Sequence, residues 1–268
     1  MLTKRVLAAA EGLTVEDVLC TSGPSSWSPP EPTTKNGIVF VRRGCFRRRA
    51  DGVESFLDPV AIYFERPGQE QQIAHPANGG DECTQIVLSD ALIASVWGDR
   101  FEPPAWPVFT SAQADLTHRQ LVSSLRSGDV LELGERVLRL LEAVRDCGTR
   151  RLHRGRAATA AARRRIVDDA REAIAAEPTI GLFALARIVS VSPHHLSRIF
   201  RAETGETISR YRNRARVRLV LERLADRERS LARLAGELGF ADQAHLARVV
   251  RHEIGSTPSA LRSSLGIR

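Results

Sequence analysis

The chain has 268 residues, 43% hydrophobic and 26% charged, a length and composition that suit a soluble protein of two domains, each able to bury a core. No run of about 18 apolar residues occurs and no long apolar segment opens the chain, so we expect a cytoplasmic protein without membrane span or signal peptide. The net charge of +7 is divided unevenly, with 15 Lys/Arg and 20 Asp/Glu in residues 1–147 against 24 and 12 in residues 148–268, and the basic C-terminal half is typical of a DNA-binding domain.

Residues 1–110 show the pattern of a small β domain. The first residues predict a short helix, followed by a strand at 13–20 and a loop rich in Pro and Ser. Six short segments then alternate with Gly, Pro and Asp turn residues. They are IVFV, the segment around Cys45–Arg48, VESFL, VAIYF, QQIAH and CTQIVLS. Strands of this length and spacing predict an antiparallel barrel or sandwich.

His75 and Cys83 flank a Gly-Gly turn and are the candidate metal ligands of this region. This β region resembles cupin-type domains, and the resemblance implies that a metal site would need two His and a carboxylate near one strand, and then a further His. No H-x-H occurs and the next histidine is His118, so we expect no metal, no cofactor and a buried thiol. The four cysteines are widely spaced without a C-x-x-C pair, which predicts reduced thiols. Arg47–Arg49 is expected to be a solvated strand edge.

Residues 111–156 change to a helical period. A short helix capped at Ser89 and a helix ending at Gly128 precede a third, for which Asp129 and Glu132 predict a capping box. Its apolar stripe has 3-4-3-4 spacing, broadened by three leucines: Val130, Leu133, Val137, Leu140 and Val144, with Leu131, Leu138 and Leu141. The width predicts one face on the barrel and another on a partner subunit, with packing inside the chain as the alternative. The basic, glycine-containing segment 147–156 is the predicted linker.

The stretch from Thr179 to Arg262 contains one helical unit used twice. Matching residues recur 50 positions apart in the second half of the unit and 49 apart in the first, so one turn is a residue longer. The pairs are Leu196 with Leu246, Arg198 with Arg248, Phe200 with Val250, Arg201 with Arg251, Gly205 with Gly255, Thr207 with Thr257, Ser209 with Ser259, Leu185 with Leu234 and Ala186 with Ala235. Two copies indicate a duplicated module rather than a solenoid.

Each copy predicts two short helices joined by a tight turn. In the second copy Gly239 forms the turn, and Ser230 and Asp242 are N-caps of the two helices. In the first copy Ser190 occupies the turn, and the N-cap Ser192 is followed by proline at the first helical position. This is the pattern of a helix-turn-helix, whose second helix presents its exposed face to the DNA major groove.

A helix over 157–177 precedes the first copy, and a helix over 208–224 joins the two copies. The joining helix would span about 25 Å, a suitable strut for holding two recognition helices roughly 34 Å, or one DNA turn, apart. One face is apolar and the other is predicted to expose Arg210, Arg212, Arg214, Arg216 and Arg218.

These residues resemble the DNA-binding domain of the AraC/XylS family of bacterial transcription regulators. The resemblance is carried by GFADQAHLARVVRHEIGSTPSALR and by LSRIFRAETGETISRYRNRARVRLVLERL. Aromatic residues are usual in the family where Leu246, Val250 and Leu261 stand here, and the apolar character is kept. The pattern RRGCFRRR…DPVAIYFERPGQEQQIAHP resembles the cupin-type domain that precedes the DNA-binding part in many members and that binds a small molecule or mediates dimer contacts.

The resemblance thus implies a two-domain α+β fold: a cupin-like antiparallel barrel at 1–110, a helical dimerisation region and linker at 111–156, and an all-α domain with two helix-turn-helix units at 157–268. It places at base-facing positions His194, Ser197, Arg198, Gln243, Ala244, His245, Ala247 and Arg248. We expect phosphate contacts from Ser192, Arg201, Arg212, Arg216, Ser230 and Arg251, and effector-lining side chains at Phe40, Phe56, Tyr63 and Phe64. Double-stranded DNA, a small-molecule effector, a second copy of the chain and, for an activator, RNA polymerase are the expected partners. Bound to DNA, the protein would be associated with the nucleoid.

Two other classes remain open at this point. A cupin-fold metalloenzyme fused to a DNA-binding domain is the first, but no metal triad, nucleophile elbow, phosphate-binding glycine loop or paired catalytic carboxylates can be located, so we expect no catalytic residues. An architectural DNA-binding protein without a ligand is the second, and would show little preference among DNA sequences.

Overall fold

The computed structural model describes residues 1–23, 26–76, 79–148, 157–226 and 228–264. The chain divides into two compact units, Met1–Thr149 and Arg150–Ser263. The first combines antiparallel sheets with helices and the second is helical, which confirms the predicted α+β fold. No helix within these ranges is long and apolar enough to cross a membrane. Residues 149–156 of the predicted linker lie outside the described residues.

Two antiparallel sheets build the first unit. The larger has the order β1 (Leu2–Ala10), β2 (Leu13–Cys20), β9 (Asp81–Leu88), β4 (Asn36–Gly44), β7 (Ala61–Glu65) and β10 (Val108–Phe109). The smaller has the order β3 (Glu31–Pro32), β8 (Glu70–Ala74), β5 (Phe46–Ala50) and β6 (Val53–Leu57). Strands β4 to β9 correspond to the six segments predicted from the sequence.

The N-terminal segment is a strand and not the predicted helix. Residues 2–10 pair with β2 along its whole length, through a turn in which Gly12 has a φ of 69°. The three alanines at 8–10 favour a helix in isolation. Pairing with a neighbouring strand outweighs this local preference, as tertiary context often does.

The larger sheet buries both of its faces. Val39, Val41 and Tyr63 pack with Phe46 and Leu57 of the smaller sheet, so one apolar cluster lies between the sheets. Successive residues of a strand point to opposite faces. The neighbouring side chains therefore lie on the other face, in a cluster covered by helices: Ile38, Phe40, Ile62, Phe64, Ile86 and Leu88.

The covering helices are α1 (Asp90–Trp97), α2 (Ala112–Arg126) and α3 (Leu133–Gly148). Ser89 and Ser111 accept hydrogen bonds from the first turns of α1 and α2, so the predicted cap at Ser89 is present. The predicted capping box before α3 is absent. Glu132 has a φ of 58°, and Asp129 instead accepts from the Leu131 amide and pairs with Arg136 at 2.8 Å.

The stripe of α3 faces the protein's own core. Val137 and Leu140 are completely buried in the cluster that includes the larger sheet. They therefore cannot form the partner-facing surface predicted from the sequence. The exposed apolar residues of this region include Leu131 (76%) and Leu138 (40%), seven positions apart.

The second unit consists of α4 (Ala157–Ala176), α5 (Leu182–Ile188), α6 (Pro193–Thr204), α7 (Ile208–Ala225), α8 (Leu231–Glu237), α9 (Gln243–Ile254) and α10 (Pro258–Ser264). The centre of its core is polar in part. The guanidinium of Arg171, 1% exposed, donates to the Tyr211 hydroxyl at 2.9 Å and pairs with Asp168 at 2.8 Å. Tyr211 packs edge-on against Phe200, which ties α4 and α7 to α6.

Helix α7 is buried around most of its circumference, contrary to the predicted arginine-rich exposed face. Arg214, Arg216 and Arg218 are at most 8% exposed. Arg214 forms an ion pair with the buried Glu206, whose pKa burial raises in spite of this arginine. Arginine can be buried here because its fork of donors meets carboxylates and carbonyls inside the unit.

Candidate nucleic-acid interface

The first helix-turn-helix unit is formed by α5 and α6. The Ser192 hydroxyl accepts from the His195 amide at 3.2 Å, and Pro193 supplies a first helical residue that needs no amide donor. Leu196, Ile199 and Phe200 are buried, which turns the opposite face of α6 outward. The helix ends at Gly205, whose φ of 77° is the left-handed cap.

The second helix-turn-helix unit, α8 and α9, repeats this construction. Asp242 caps α9 through the His245 amide at 2.6 Å, Leu246 and Val250 are fully buried, and Gly255 ends the helix with a φ of 80°. Ser230 caps α8 by accepting from the Arg233 amide.

The two turns are equivalent although their residues differ. Gly239 has a φ of 70° and Ser190 a φ of 55°, and in each case the next amide donates back to an alanine carbonyl, Phe240 to Ala235 and Val191 to Ala186. A Cβ at Gly239 would lie 2.5 Å from the Thr179 methyl group. Glycine therefore fits the second turn for two reasons, backbone conformation and space.

Most predicted base-facing residues lie on the outer faces of α6 and α9. His194, Ser197 and Arg198 are exposed on α6, as are Gln243, Ala244 and Arg248 on α9. Ala247 is half-buried. His245 differs from the predicted role, because its Nδ1 accepts from the Ala241 amide at 3.1 Å and its ring packs edge-on against Phe240. This histidine closes the turn between α8 and α9 of the second helix-turn-helix unit.

Two pairs of arginines occupy equivalent exposed positions. Arg198 and Arg248 match, as do Arg201 and Arg251 one turn further along each helix. Arg198 Nη2 donates to the neighbouring His195 Nδ1 at 3.2 Å, which orients the guanidinium on the surface of α6. The side chains of Arg248, Arg201 and Arg251 form no hydrogen bond or ion pair with the residues that the structure describes.

Arg212 and Arg216, both predicted to contact phosphate, have hydrogen-bond partners within the protein. Both side chains bind carbonyls of the segment that follows α4: Arg216 Nη2 donates to the Pro178 oxygen at 2.9 Å and Arg212 Nη2 to the Thr179 oxygen at 2.9 Å. Burial lowers the pKa of both arginines. The two arginines join α7 to the segment that leads into the first helix-turn-helix unit. Ser192 and Ser230 are exposed helix caps, where a phosphate could also be bound.

The predicted effector-lining residues do not share one space. Phe40 and Phe64 lie on the helix-covered face, where Phe40 stacks on His118 with 4.3 Å between ring centroids. Phe56 lies on the opposite face of β6 from the inward-facing Leu57. Of the four, Tyr63 alone belongs to the described cluster between the sheets.

Arg48 was not among the predicted effector-lining residues, although it lies beside Tyr63 of the cluster between the sheets. Its side chain is 4% exposed, its guanidinium carbon lies 4.4 Å from the Tyr63 ring centroid, and it donates to Gln71 at 2.8 Å and Gln69 at 2.5 Å. Glu65, also buried, accepts from Gln71 at 3.1 Å. The signal was the period of two in the Arg47–Arg49 run, where the middle residue must face away from its neighbours.

Comparisons with known proteins agree with this geometry. Residues 185–264 match the helix-turn-helix domain family. The chain is 31% identical over 86 residues to the regulatory protein SoxS of Salmonella typhimurium (strain LT2), covering 32% of this chain and 80% of that protein. It is 30% identical to SoxS of Escherichia coli (strain K12), with the same coverage.

Two solved structures complete the comparison. The match to ToxT from Vibrio cholerae O395 covers 96% of this chain and 99% of that chain at 10% identity and a TM-score of 0.38. The match to the C-terminal domain of AraT, a response regulator from Geobacillus stearothermophilus, covers 37% of this chain and 84% of that chain at 24% identity and a TM-score of 0.35. On the duplicated helix-turn-helix and the identity to SoxS, this chain belongs to the AraC/XylS family of DNA-binding transcription regulators.

Proposed function

We propose that α6 and α9 read base edges in two successive major grooves of one operator. The observation that carries this proposal is the equivalence of the two helices: each is capped at both ends in the same way and exposes arginines at the same two positions. A duplicated reader suits a DNA site with two contacts about one helical turn apart.

Within this arrangement each exposed residue has a distinct role. Arg198 and Arg248 can each donate two hydrogen bonds to guanine O6 and N7, and Gln243 can bind adenine. His194 and Ser197 complete the α6 surface, and Ala244 and Ala247 provide apolar contact for thymine methyl groups on α9. Arg201, Arg251, Ser192 and Ser230 hold the phosphate backbone, which positions the helices without selecting sequence.

The test begins with selection of a preferred duplex from a random pool by the full-length protein. Affinities of Arg198→Ala and Arg248→Ala are then measured on this duplex and on a scrambled one, across salt concentrations. Each variant should lose about 1–3 kcal/mol on the selected duplex and relax preference at its own base pair. Arg165→Ala removes the same charge from an exposed position of α4 and should leave the preference intact.

Equal losses on both duplexes would show that these arginines bind phosphate only. A wild-type protein with no preference among duplexes would instead support the architectural alternative.

We further propose that the N-terminal compact unit, which contains the two sheets, regulates DNA binding by holding a small molecule between them. The buried Arg48 beside Tyr63 supports this, because it offers a cation and an aromatic face within an apolar cluster. Screening by thermal shift would supply a ligand. Binding of that ligand should protect β5, β7 and β8 from hydrogen exchange. Arg48→Met should weaken the binding of the ligand. Protection from hydrogen exchange that is confined to the helical compact unit would contradict the proposal.

The remaining partners are proposed on the basis of the family. We place the protein in the cytoplasm as a homodimer, with RNA polymerase as a partner if it activates transcription. Membership of a regulator family supports a non-enzymatic role. The opposing outcome, a metalloenzyme, would be established by metal-dependent turnover of a small molecule by the full-length protein.

A further inference from the structure

Three side chains from distant parts of the chain converge in the first unit. Cys20 ends β2, His75 directly follows β8 and Asp81 begins β9. The Cys20 sulfur, a His75 ring nitrogen and an Asp81 carboxylate oxygen all lie within 4.8 Å of one another. Cysteine, histidine and aspartate are each ordinary ligands of a divalent transition metal.

The sheet register explains why these residues meet. Cys20 is paired directly with Asp81 in the β2–β9 ladder, so their side chains lie on the same face. On the other side of Asp81 the β4 partner is Gly44, where a Cβ would lie 2.3 Å from the Gly80 carbonyl oxygen. The absence of a side chain there lets Asp81 sit close to the end of β4. His75 then approaches from the smaller sheet.

The surroundings of the carboxylate are those of a metal ligand held in place. The two oxygens of Asp81 are bound separately: His75 Nε2 lies 2.7 Å from Oδ2, and the Cys83 thiol donates to Oδ1 at 3.1 Å. His75 and Asp81 are at most 9% exposed, and the Phe46 ring centroid lies 6.2 Å from that of His75. A second residue that fixes a ligating carboxylate, inside an apolar shell, is the usual environment of such sites.

The spacing agrees with one ion of the zinc class. In a tetrahedral site with Zn–S near 2.3 Å and Zn–N or Zn–O near 2.0–2.2 Å, ligand atoms lie about 3.3–3.6 Å apart. Metal binding would require His75 and Asp81 to separate by less than about 1 Å and the Cys20 sulfur, within 4.8 Å of both, to approach by up to about 1.2 Å. The Cys20 sulfur, which donates a hydrogen bond to the Ser22 hydroxyl at 3.4 Å, lies within 4.8 Å of both ligand atoms.

The geometry points to a Zn²⁺-class metal site formed by Cys20, His75 and Asp81, with Cys83 as the residue that positions Asp81. Binding displaces the Cys20 thiol proton, because the thiolate is the metal ligand. Three protein ligands leave the fourth tetrahedral position for water or a donor atom of a small molecule. The ion would join the smaller sheet, through His75, to two strands of the larger one.

The test uses the full-length protein stripped of metal by a chelator. Titration with Co²⁺ should give one equivalent per chain and a near-ultraviolet thiolate-to-cobalt charge-transfer band, which Zn²⁺ then abolishes by displacement. Zn²⁺ should also slow alkylation of Cys20, measured by mass spectrometry, at least about 10-fold, because the thiolate that binds the ion is no longer free to act as the nucleophile. Neither measurement needs a variant, so absence of both the band and the protection overturns the proposal.

Variants then assign the ligands. Cys20→Ala should eliminate the charge-transfer band, and His75→Ala and Asp81→Asn should each weaken Zn²⁺ binding at least about 10-fold against a competing chelator. Cys83→Ala should leave the stoichiometry unchanged and lower affinity about 10–100-fold, the range for residues that orient a ligand. Cys147→Ala, a buried thiol on α3, is the matched control and should bind as the wild type does. A band that survives Cys20→Ala or disappears with Cys147→Ala would overturn the site.

Discussion

Individual arginines of the second unit divide into two groups, those that hold the fold and those that face outward. Arg216 belongs to the first, since its guanidinium binds the Pro178 carbonyl twice and lies 5.8 Å from the Phe240 ring centroid. Arg210, on the same helix, has a side chain 62% exposed. The same amino acid therefore has opposite consequences at two positions of one helix that are six residues apart.

We predict that Arg216→Ala lowers the free energy of unfolding by about 1.5–3 kcal/mol, because the Pro178 carbonyl loses two charge-assisted hydrogen bonds. Arg210→Ala should cost less than about 1 kcal/mol, as is usual for an exposed ion pair. Circular dichroism during chemical denaturation measures both. If Arg216→Ala unfolds like the wild type but makes DNA binding less dependent on salt, Arg216 contacts phosphate and is not needed to hold the fold.

His118 of α2 makes the first unit sensitive to acid. The ring is 4% exposed, its Nε2 has no hydrogen-bond partner among the described residues, and burial, together with Arg119, Arg42 and Arg126, holds its pKa well below the ordinary value. The folded state thus keeps His118 neutral while the unfolded chain takes up a proton near about pH 6.5. Stability from this group is complete above that pH and is lost as the pH falls below it.

We therefore expect the melting temperature of the first unit to fall between about pH 7.5 and pH 5. His118→Gln should remove part of this slope, whatever it does to stability at neutral pH, because glutamine does not titrate. His194→Gln replaces an exposed histidine and should keep the slope. An identical slope in the His118 variant would assign the acid sensitivity to other groups.

At the scale of elements, the turns of the two helix-turn-helix units should respond differently to substitution. Gly239→Val should destabilise the second helix-turn-helix unit by at least about 2 kcal/mol, since a branched residue is strained at positive φ and its Cβ would collide with the Thr179 methyl group. The same change should abolish specific DNA binding. Ser190→Gly is the converse change and should stabilise the first turn by up to about 1 kcal/mol. Thermal melts and DNA affinities measure both, and a fully active Gly239→Val protein would refute this account of the turn.

Helix α3 provides a second test, because two leucines on it have opposite environments. Leu140→Glu should unfold the first unit, since a carboxylate would enter a core position of zero exposure. Leu138→Glu should leave the fold intact and convert the proposed homodimer to a monomer, seen by light scattering after gel filtration. Leu2→Glu, an exposed leucine on β1, is the matched control and should remain dimeric. A monomeric wild-type protein at micromolar concentration would remove α3 from dimerisation.

For the whole molecule, a division into separate cores predicts separable functions. A fragment of residues 157–268 should bind the selected duplex without the first unit, because it contains both recognition helices and the joining helix α7. Its affinity should be lower than that of the full chain if dimerisation resides in residues 111–148. The converse fragment, residues 1–148, should not bind DNA, and binding by it would overturn the assignment.

What could be predicted from the sequence follows a physical rule. Strands β4 to β9, the helix caps at Ser192 and Asp242 and the turn at Ser190 depend on a few neighbouring residues, and all are present. Features that depend on distant partners were mispredicted, and so was one local feature, the capping box at Asp129 and Glu132. The alanines of β1 read as a helix because the pairing with β2 is invisible locally, and the burial of Arg216 depends on a carbonyl 38 residues away.

The candidate sites follow the same rule. The outer faces of α6 and α9 could be located from helical period and duplication, both local. The strand phase that separates Phe40 and Phe64 from Tyr63 depends on which face of the sheet the helices cover. The convergence of Cys20 with His75 depends on the register between β2 and β9 and could not be found from spacing.

The outer strand β1 has a consequence for how the protein behaves when concentrated. It is the terminal strand of the larger sheet, with exposed Leu2 and Val6, and its free edge is a template onto which another chain could add a strand. Lys4, between these two residues, reaches back over the sheet and donates to Gln85 at 2.9 Å. Arg5, the next residue, is also exposed, so two adjacent cations on this strand oppose the addition of another chain at its edge.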